Sequence, residues 1–290
     1  MTAQRIDGKQ VAAAERERIA AEVAHLHAEG VVPGLAAVLV GDDQASHTYV
    51  GMKERMCEAV GMRSVGARYP ADITQAALLA EIDKLNADPG VSGIIVQMPL
   101  PGHLDAIEAQ ERVDWRKDVD GLGPVSAGRL LRGDPLFVPA TPLGCVVLLQ
   151  HTGVDLKGTD VVIVGRSQLV GRPLANLLTL REHNATVTVC HTGTKDLGAH
   201  TRRADVVVVA TGVRHTITRD MVRPGATVID VGMNRDEHGK LCGDADYDDL
   251  LEVAGAITPV PGGVGPMTVT MLLHNTLAAA RLQAGLPPAA

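Results

Sequence analysis

Lysine serves in proton transfer near neutral pH only where its surroundings pull its pKa below the usual ~10.4. Ser46, Tyr49 and Lys53 fall at spacings of three and four, which place them on one face of a helix. Taken alone, Tyr-x-x-x-Lys also fits a solvated surface pair. The three follow Gly41-Asp42-Asp43, which reads as the exit of a strand, and open α/β sheets form their ligand crevices at strand exits. Gln97 stands at the end of the apolar run Ile94–Val96, and the following Met98-Pro99-Leu100-Pro101 cannot continue regular pairing. Asp118 and Asp120 lie in the irregular Lys117-Asp118-Val119-Asp120-Gly121. Lys53, Gln97 and Asp120 are thus able to meet at one crevice. A partly desolvated lysine beside a neutral amide would be suited to proton transfer there.

A second group has the chemistry of phosphate binding. Val161–Val164 runs into Gly165-Arg166-Ser167, and Gly171-Arg172-Pro173 opens a helix. A strand, a small-residue turn and a helix N-terminus aim free backbone N–H groups at an anion. The usual GxGxxG spacing is absent, since positions 167 and 170 are Ser and Val, and a plain βα turn fits the same residues. The next strand ends at Cys190-His191-Thr192 with no carboxylate to repel a 2′-phosphate, and Arg166 lies in the turn, so NADP is expected over NAD. Pro261-Gly262-Gly263-Val264-Gly265-Pro266-Met267-Thr268 has glycines that allow close backbone approach to a flat ligand, or that simply make a flexible turn before a helix.

The elements that must position these residues alternate between helical periods and short apolar strands. Helices are expected from about Lys9 to Glu29, with Val11, Ile19, Val23 and Leu26 on one face, then over Ala45–Val60 and Thr74–Asn86. Strands are expected at Leu35–Val40, Ser64–Tyr69 and Ile94–Val96, and in the second half at Val161–Val164, Thr186–Cys190, Val206–Val209 and Thr227–Val231. Residues 114–139 are rich in Gly, Pro and charge without a clear period, which reads as a site-forming loop between domains. Thr141-Pro142 reads as the N-cap and first residue of a helix. The fold class is α/β with two domains. Residues 1–140, with a C-terminal helix from about 267 to 290 packing back, form an N-terminal α/β catalytic domain, and 141–266 form a Rossmann-like dinucleotide-binding domain.

Composition narrows the function. The 290 residues carry a formal net charge of -7, with no block of Lys or Arg, which disfavours a nucleic-acid partner. Aromatics are 2%, too few for a base-stacking surface. Cys57, Cys145, Cys190 and Cys242 are widely spaced, which gives neither a zinc site nor a disulfide framework, and no metal is expected. No apolar run approaches the ~18 residues that span a bilayer, and the N-terminus has no apolar leader, so a cytoplasmic protein without a membrane partner is expected.

In order along the chain, these motifs closely resemble the bifunctional methylenetetrahydrofolate dehydrogenase/methenyltetrahydrofolate cyclohydrolase family. The series runs through Gly41-Asp42-Asp43 with Ser46, Tyr49, Val50 and Lys53; Gln97-Met98-Pro99-Leu100-Pro101; Lys117–Gly121; Thr141-Pro142-Leu143-Gly144; Val164–Ser167 with Val170–Pro173; Asp230-Val231-Gly232; and Pro259–Thr268. The resemblance implies an enzyme of one-carbon metabolism, which feeds purine, histidine and methionine biosynthesis. It would oxidise 5,10-methylenetetrahydrofolate with NADP and hydrolyse the methenyl product to 10-formyltetrahydrofolate. Lys53 would transfer the proton, most clearly for water attack, Gln97 would orient it and tune its pKa, Tyr49 would position the folate, and Asp120 would pair with the pterin amino edge. Pro261, Gly262 and Gly263 would line the folate site. Gly165, Arg166 and Ser167 would hold the NADP phosphates, Thr192 would offer a hydroxyl, and Met233 would lie along the cofactor. A homodimer formed through the cofactor domains is implied as well.

The chain departs from the family pattern at three places. Leu122-Gly123 replaces a bulky residue followed by His or Asn, Ser126 stands where Asn is common, and Thr192-Gly193 replaces Ser and Arg. The first departure motivates an alternative, a dehydrogenase with weak or absent cyclohydrolase activity. A folate- or nucleotide-binding protein without turnover would not require Lys53, Gln97 and Asp120 together. An amino-acid dehydrogenase of similar shape would not require the Tyr49–Lys53 and Pro261–Met267 motifs.

Overall fold

The computed structural model describes residues 2–287, which divide into two compact units. In chain order the elements are β1 (Gln4–Arg5), α1 (Gly8–Ala28), β2 (Gly34–Val40), α2 (Gln44–Ala59), β3 (Arg63–Tyr69), α3 (Gln75–Ala87), β4 (Gly93–Val96), α4 (Ala106–Glu111), α5 (Pro124–Arg132) and α6 (Ala140–His151). There follow β5 (Asp160–Val164), α7 (Gly171–Thr179), β6 (Thr186–Cys190), α8 (Leu197–Thr201), β7 (Val206–Val209), β8 (Thr227–Asp230), β9 (Asn234–Arg235), β10 (Leu241–Cys242), α9 (Tyr247–Leu250), β11 (Ala256–Ile257) and α10 (Val264–Gln283).

One unit comprises Ala14–Ala140 with the chain from Val269 onward. Its sheet is parallel, in the order β3-β2-β4. Every residue of β2 and β4 is buried, as expected of central parallel strands covered on both faces. Ala36, Val38, Ile94 and Val96 pack with Leu78 and Ile82 of α3 and Ala109 of α4. Asp43 caps α2 by accepting the Ser46 N–H at 2.7 Å, and Thr74 caps α3. The C-terminal helix packs into this unit through Asn275, whose Nδ2 donates to both Val119 O and Val138 O at 2.8 Å.

The segment 114–139 is not wholly irregular, because α5 lies within it. Pro124 occupies the first turn of α5, and Gly133 ends it in the left-handed region at φ 85°. At its start Gly123 has no side chain to cap the helix, which is why the sequence hides it.

The other unit comprises the residues up to Ala13 with Thr141–Thr268. Its six-stranded sheet has the order β1-β11-β8-β7-β5-β6, all pairings parallel. Residues 4–5, assigned from sequence to the N-terminal domain, join this sheet because β1 pairs with β11. Val162, Val164, Val207, Val209, Val228 and Ile257 lie at the core. The strand order turns outward on either side of β5 and β7, the switch-point arrangement at whose carboxyl edge dinucleotides bind. The helix expected to start at Pro142 from a Thr141 cap begins two residues earlier, at Ala140, and the Thr141 hydroxyl instead bonds that of Thr268 at 2.9 Å.

Cys57, Cys145 and Cys190 are buried, Cys242 is half-buried, and all four are free thiols. Among the described residues no helix is long and apolar enough to cross a membrane, and no group of three or more His, Cys, Asp or Glu is placed to hold a metal ion.

Candidate active site

In the first-described unit, α2 starts at the exit of β2 and carries Tyr49 and Lys53 one turn apart. The neighbouring strand β4 exits at Gln97, whose N–H donates to Val38 O at 2.9 Å. The two exits bring the side chains together, and Lys53 Nζ donates to Gln97 Oε1 at 3.1 Å. Gln97 Nε2 donates to Met98 O at 2.7 Å, which fixes the amide with its oxygen toward the lysine. Tyr49 is 38% exposed, whereas Ser46, on the same face, is buried and belongs to the packing of the helix start.

Asp120 arrives from a third direction. Residues 117–119 run beside β4, with Ile94 N–H donating to Lys117 O at 2.8 Å and a parallel bridge from Ile94 to Asp118. The chain then turns at Gly121, φ 68°, where a Cβ would strike the backbone of Val138 and Pro139. Lys117 plays a structural part, since its buried ammonium donates to Leu85 O and Asp88 O.

Burial holds the Lys53 amine below the ordinary lysine range, and the negative charge of Asp120 partly opposes that shift. Burial likewise pushes the Asp120 carboxyl up to about 6, with Lys53 pulling down and Asp118 pushing up. A lysine with a weakened hold on its proton, directed by an amide and coupled to a carboxyl that titrates near 6, is an arrangement for moving protons at neutral pH.

Asp118 received no role from the sequence. It is buried and accepts from Ser126 Oγ at 2.6 Å and from the Gly123 N–H at 2.9 Å. A Cβ at position 123 would crowd the same carboxylate oxygen. Gly123 and Ser126, two departures from the family pattern, are therefore coupled through one acceptor at the start of α5.

In the other unit, β5 leaves the sheet at Gly165, φ 129°, whose N–H donates to Cys190 O at 2.9 Å. A Cβ at Gly165 would collide with Ala210 O, and one at Gly171 with Gly165 O, so the turn closes only with glycine at both positions. The Ser167 hydroxyl accepts the Val170 N–H at 3.1 Å, and the Ser167 carbonyl accepts the Arg172 N–H at 3.1 Å. Arg166 and Ser167 themselves face solvent. Beyond β6, the turn His191–Thr194 is closed by His191 N–H on Thr194 Oγ1 and by Gly193 N–H on His191 Nδ1. Thr192 is exposed there, and residues 191–194 contain no carboxylate. Met233 lies past the exit of β8 and is 58% exposed. A glycine-closed turn, an outward cation and hydroxyls without a facing acid fit a 2′-phosphorylated dinucleotide.

Pro261, Gly262 and Gly263 also belong to this unit. Gly262 has φ 109°, a Cβ on Gly263 would meet Thr258 and Pro259, and Gly8 packs against the Gly263 carbonyl. The sequence reading passed over Ala210-Thr211-Gly212 at the exit of β7. A run of small residues directly after an apolar strand was the available signal, the same one that marks Gly165.

Comparison with known proteins accords with both halves. The catalytic-domain model of tetrahydrofolate dehydrogenase/cyclohydrolase matches residues 6–120, and the NAD(P)-binding-domain model of the same family matches residues 139–284. The bifunctional protein FolD of Janthinobacterium sp. (strain Marseille) is 56% identical over 280 residues, covering 97% of this chain and 98% of that protein. Among solved structures, the bifunctional FolD methylenetetrahydrofolate dehydrogenase/cyclohydrolase of Campylobacter jejuni superposes with a TM-score of 0.93 at 44% identity, over 96% of this chain and 99% of that one. The Trypanosoma brucei methylenetetrahydrofolate dehydrogenase-cyclohydrolase, complexed with NADP and an inhibitor, gives 0.91 at 38%, over 98% and 99%. With both domains matched in order and over half the residues shared with a full-length relative, the chain belongs to the tetrahydrofolate dehydrogenase/cyclohydrolase family.

Proposed function

We propose that this chain oxidises 5,10-methylenetetrahydrofolate with NADP and then hydrolyses the methenyl product to 10-formyltetrahydrofolate. The observation that carries the reading is the Lys53–Gln97 hydrogen bond at 3.1 Å, with the lysine held below its ordinary pKa beside Asp120. NADP supplies the hydride acceptor. The folate nitrogens donate electron density as the hydride leaves, so the protein's contribution to that step is alignment. Tyr49, exposed one turn before Lys53, positions the folate, and Asp120 pairs with the amino edge of the pterin. Pro261, Gly262 and Gly263 are assigned to folate binding on the family resemblance. Gly165, Arg166, Ser167 and Thr192 hold the phosphorylated end of NADP, and Met233 lies along it.

In the hydrolytic step, water adds to the methenyl carbon, the bond from that carbon to N5 breaks, and N5 gains a proton. Lys53, as the free amine, takes one proton from water and returns it to the departing N5. The remaining hydroxyl proton leaves to solvent as the formyl C=O forms, so the cationic methenyl group and water give the neutral formyl product and one released proton. Gln97 holds Nζ in the direction of that exchange, and burial weakens the lysine's hold on its proton. The protein is proposed to be a cytoplasmic homodimer associating through its cofactor units. The unit built on β2 is proposed as the catalytic domain and the unit built on β5 as the cofactor domain.

The test mixes the purified protein with methylenetetrahydrofolate and either NADP or NAD, and follows reduced dinucleotide and methenyltetrahydrofolate by their separate absorbances. Reduced dinucleotide rising with NADP while methenyltetrahydrofolate stays low is the expected result. Methenyltetrahydrofolate accumulating in step with reduced dinucleotide would refute the hydrolytic half, and no reduction with either dinucleotide would refute the whole.

A further inference from the structure

Two buried carboxylates lie at the carboxyl edge of the six-stranded sheet, and the chemistry proposed above uses neither. Asp230 ends β8 at 3% exposure, and Asp244 follows β10 at 0%. The sequence builds the pair through a hairpin. The Asp236 carboxylate accepts from the His238 and Lys240 N–H groups, Gly239 turns at φ 77°, and Cys242 returns opposite Asn234. That return delivers Gly243-Asp244 to the end of β8. Neither Gly243 nor Gly232 tolerates a Cβ, because each would run into the other strand's carboxylate.

The bonds of this pair tie three chain segments. Asp244 Oδ2 accepts from Thr211 N–H at 2.5 Å, Thr211 Oγ1 at 3.0 Å and Gly212 N–H at 2.9 Å, all at the exit of β7. Its Oδ1 accepts from Asn234 Nδ2 at 2.8 Å, one residue beyond Met233. Asp230 Oδ1 accepts from the N–H groups of Gly232 at 2.9 Å and Asp244 at 3.0 Å, and its Oδ2 accepts from Ala245 N–H at 2.9 Å. The chain continues from Thr211 back to Ala210, whose carbonyl is the atom that Gly165 must avoid. One connected set of contacts therefore runs from the phosphate turn at Gly165, through the exit of β7, to the segment that presents Met233. Two negative charges are costly to bury, and such a pair persists where its geometry is needed.

We propose that Asp244, backed by Asp230, is a positioning residue for the dinucleotide: an internal anion that occupies the N–H groups at the exit of β7 and fixes that exit relative to Met233. This rests on the reading of the unit as the NADP-binding one. The pair does not touch the cofactor and acts through Thr211, Gly212 and Asn234. In Asp244→Asn the side chain has one acceptor atom in place of two. If it keeps the three donors of Thr211 and Gly212, its NH2 faces the NH2 of Asn234. Asn234 cannot turn over freely, because its NH2 also donates to Gly243 O at 3.0 Å.

The experiment measures NADP binding to the full chain by titration calorimetry, the KM for NADP, and hydrolysis of methenyltetrahydrofolate without dinucleotide. Asp244→Asn is expected to raise the Kd and KM for NADP about tenfold, the loss of one or two buried charged hydrogen bonds, with hydrolysis and the KM for folate unchanged. Thr211→Val removes the hydroxyl, which donates to Asp244 and also bonds the Thr216 hydroxyl and the Val213 N–H, and is expected to raise the Kd about threefold; it decides the matter if Asp244→Asn does not fold. Unchanged NADP affinity in the folded variants overturns the proposal. So does a fall in hydrolysis parallel to the fall in NADP affinity, since that marks a general structural role. Failure of the unaltered protein to bind NADP would instead remove the reading of the unit.

Discussion

Lys53→Met tests the hydrolytic mechanism where it is most exposed to failure. The substitution keeps most of the length and volume of the side chain while removing the ammonium. Two effects on stability oppose each other. Gln97 Oε1 loses its donor at 3.1 Å, which costs about 1 kcal/mol. A cation whose burial already lowers its pKa is no longer desolvated, which returns a similar amount. The melting temperature should therefore shift by only a few degrees in either direction. Catalysis should respond very differently. Loss of a positioned proton-transfer group lowers a rate by about 10²–10⁴-fold, or about 3–5 kcal/mol of barrier. NADP affinity should be unchanged, because Gly165, Arg166 and Ser167 belong to the other compact unit. The assay follows the disappearance of methenyltetrahydrofolate, with calorimetric NADP titration of the same sample. Hydrolysis within about threefold of the unaltered protein would refute the role given to Lys53.

The other predictions concern charge, backbone room and a buried amide. Asp120 is an acid whose folded pKa is raised, to about 6, so the folded state holds its proton more tightly than the unfolded state. Its stability contribution is best below the unfolded value near 3.8 and is lost as pH rises through about 6. Asp120→Asn should therefore raise stability at pH 7 by ~1–3 kcal/mol in urea unfolding while activity falls, and equal or lower stability would contradict the assigned burial. In the unaltered protein, turnover that needs ionised Asp120 should decline as pH drops through about 6, and a flat profile from 5 to 7.5 would count against it. Gly171→Ala drives a Cβ into Gly165 O and should abolish measurable NADP binding while methenyltetrahydrofolate hydrolysis continues; retained binding would show the turn to be looser than its geometry. Asn275→Ala leaves Val119 O and Val138 O without their donor and should cost about 2–4 kcal/mol in the same unfolding assay.

The parts of the fold legible in the sequence are those whose burial is symmetrical. β2, β5, β7 and β8 are apolar runs because helices cover both faces of a parallel sheet, and short runs bounded by glycine mark them. β1 was illegible because Gln4 and Arg5 are exposed and polar, and their pairing is set by Ala256 and Ile257 near the opposite end of the chain. α5 was illegible because its N-cap residue is Gly123, which has no side chain to cap it, while the Gly123 N–H is taken by Asp118 five residues earlier. The meeting of Lys53 with Gln97 follows from a rule of topology, that adjacent parallel strands end at one crevice, and so the sequence sufficed for it. The Asp230–Asp244 pair follows from no such rule. An acid at a strand end usually reads as a solvated residue, and only the hairpin of β9 and β10 shows that this one is sealed.

The two acids of the Lys117–Gly121 segment show why residue type alone does not assign a role. Asp118 and Asp120 stand two apart, but the chain turns tightly between Lys117 and Gly121, so their carboxyls meet different neighbours. Asp118 meets the start of α5, where a hydroxyl and a backbone N–H satisfy one of its oxygens and bind it into the structure. Asp120 meets Lys53 across a distance, and no hydrogen bond is among the influences on its titration, only burial and charge. A half-buried carboxyl without a donor from the protein is held in a costly state, and a donor-bearing ligand would relieve that cost on arrival. The flat amino edge of a pterin is such a donor. On the proposed pairing, part of the cost of burying Asp120 would be returned when the pterin binds, beside the lysine proposed to move the proton.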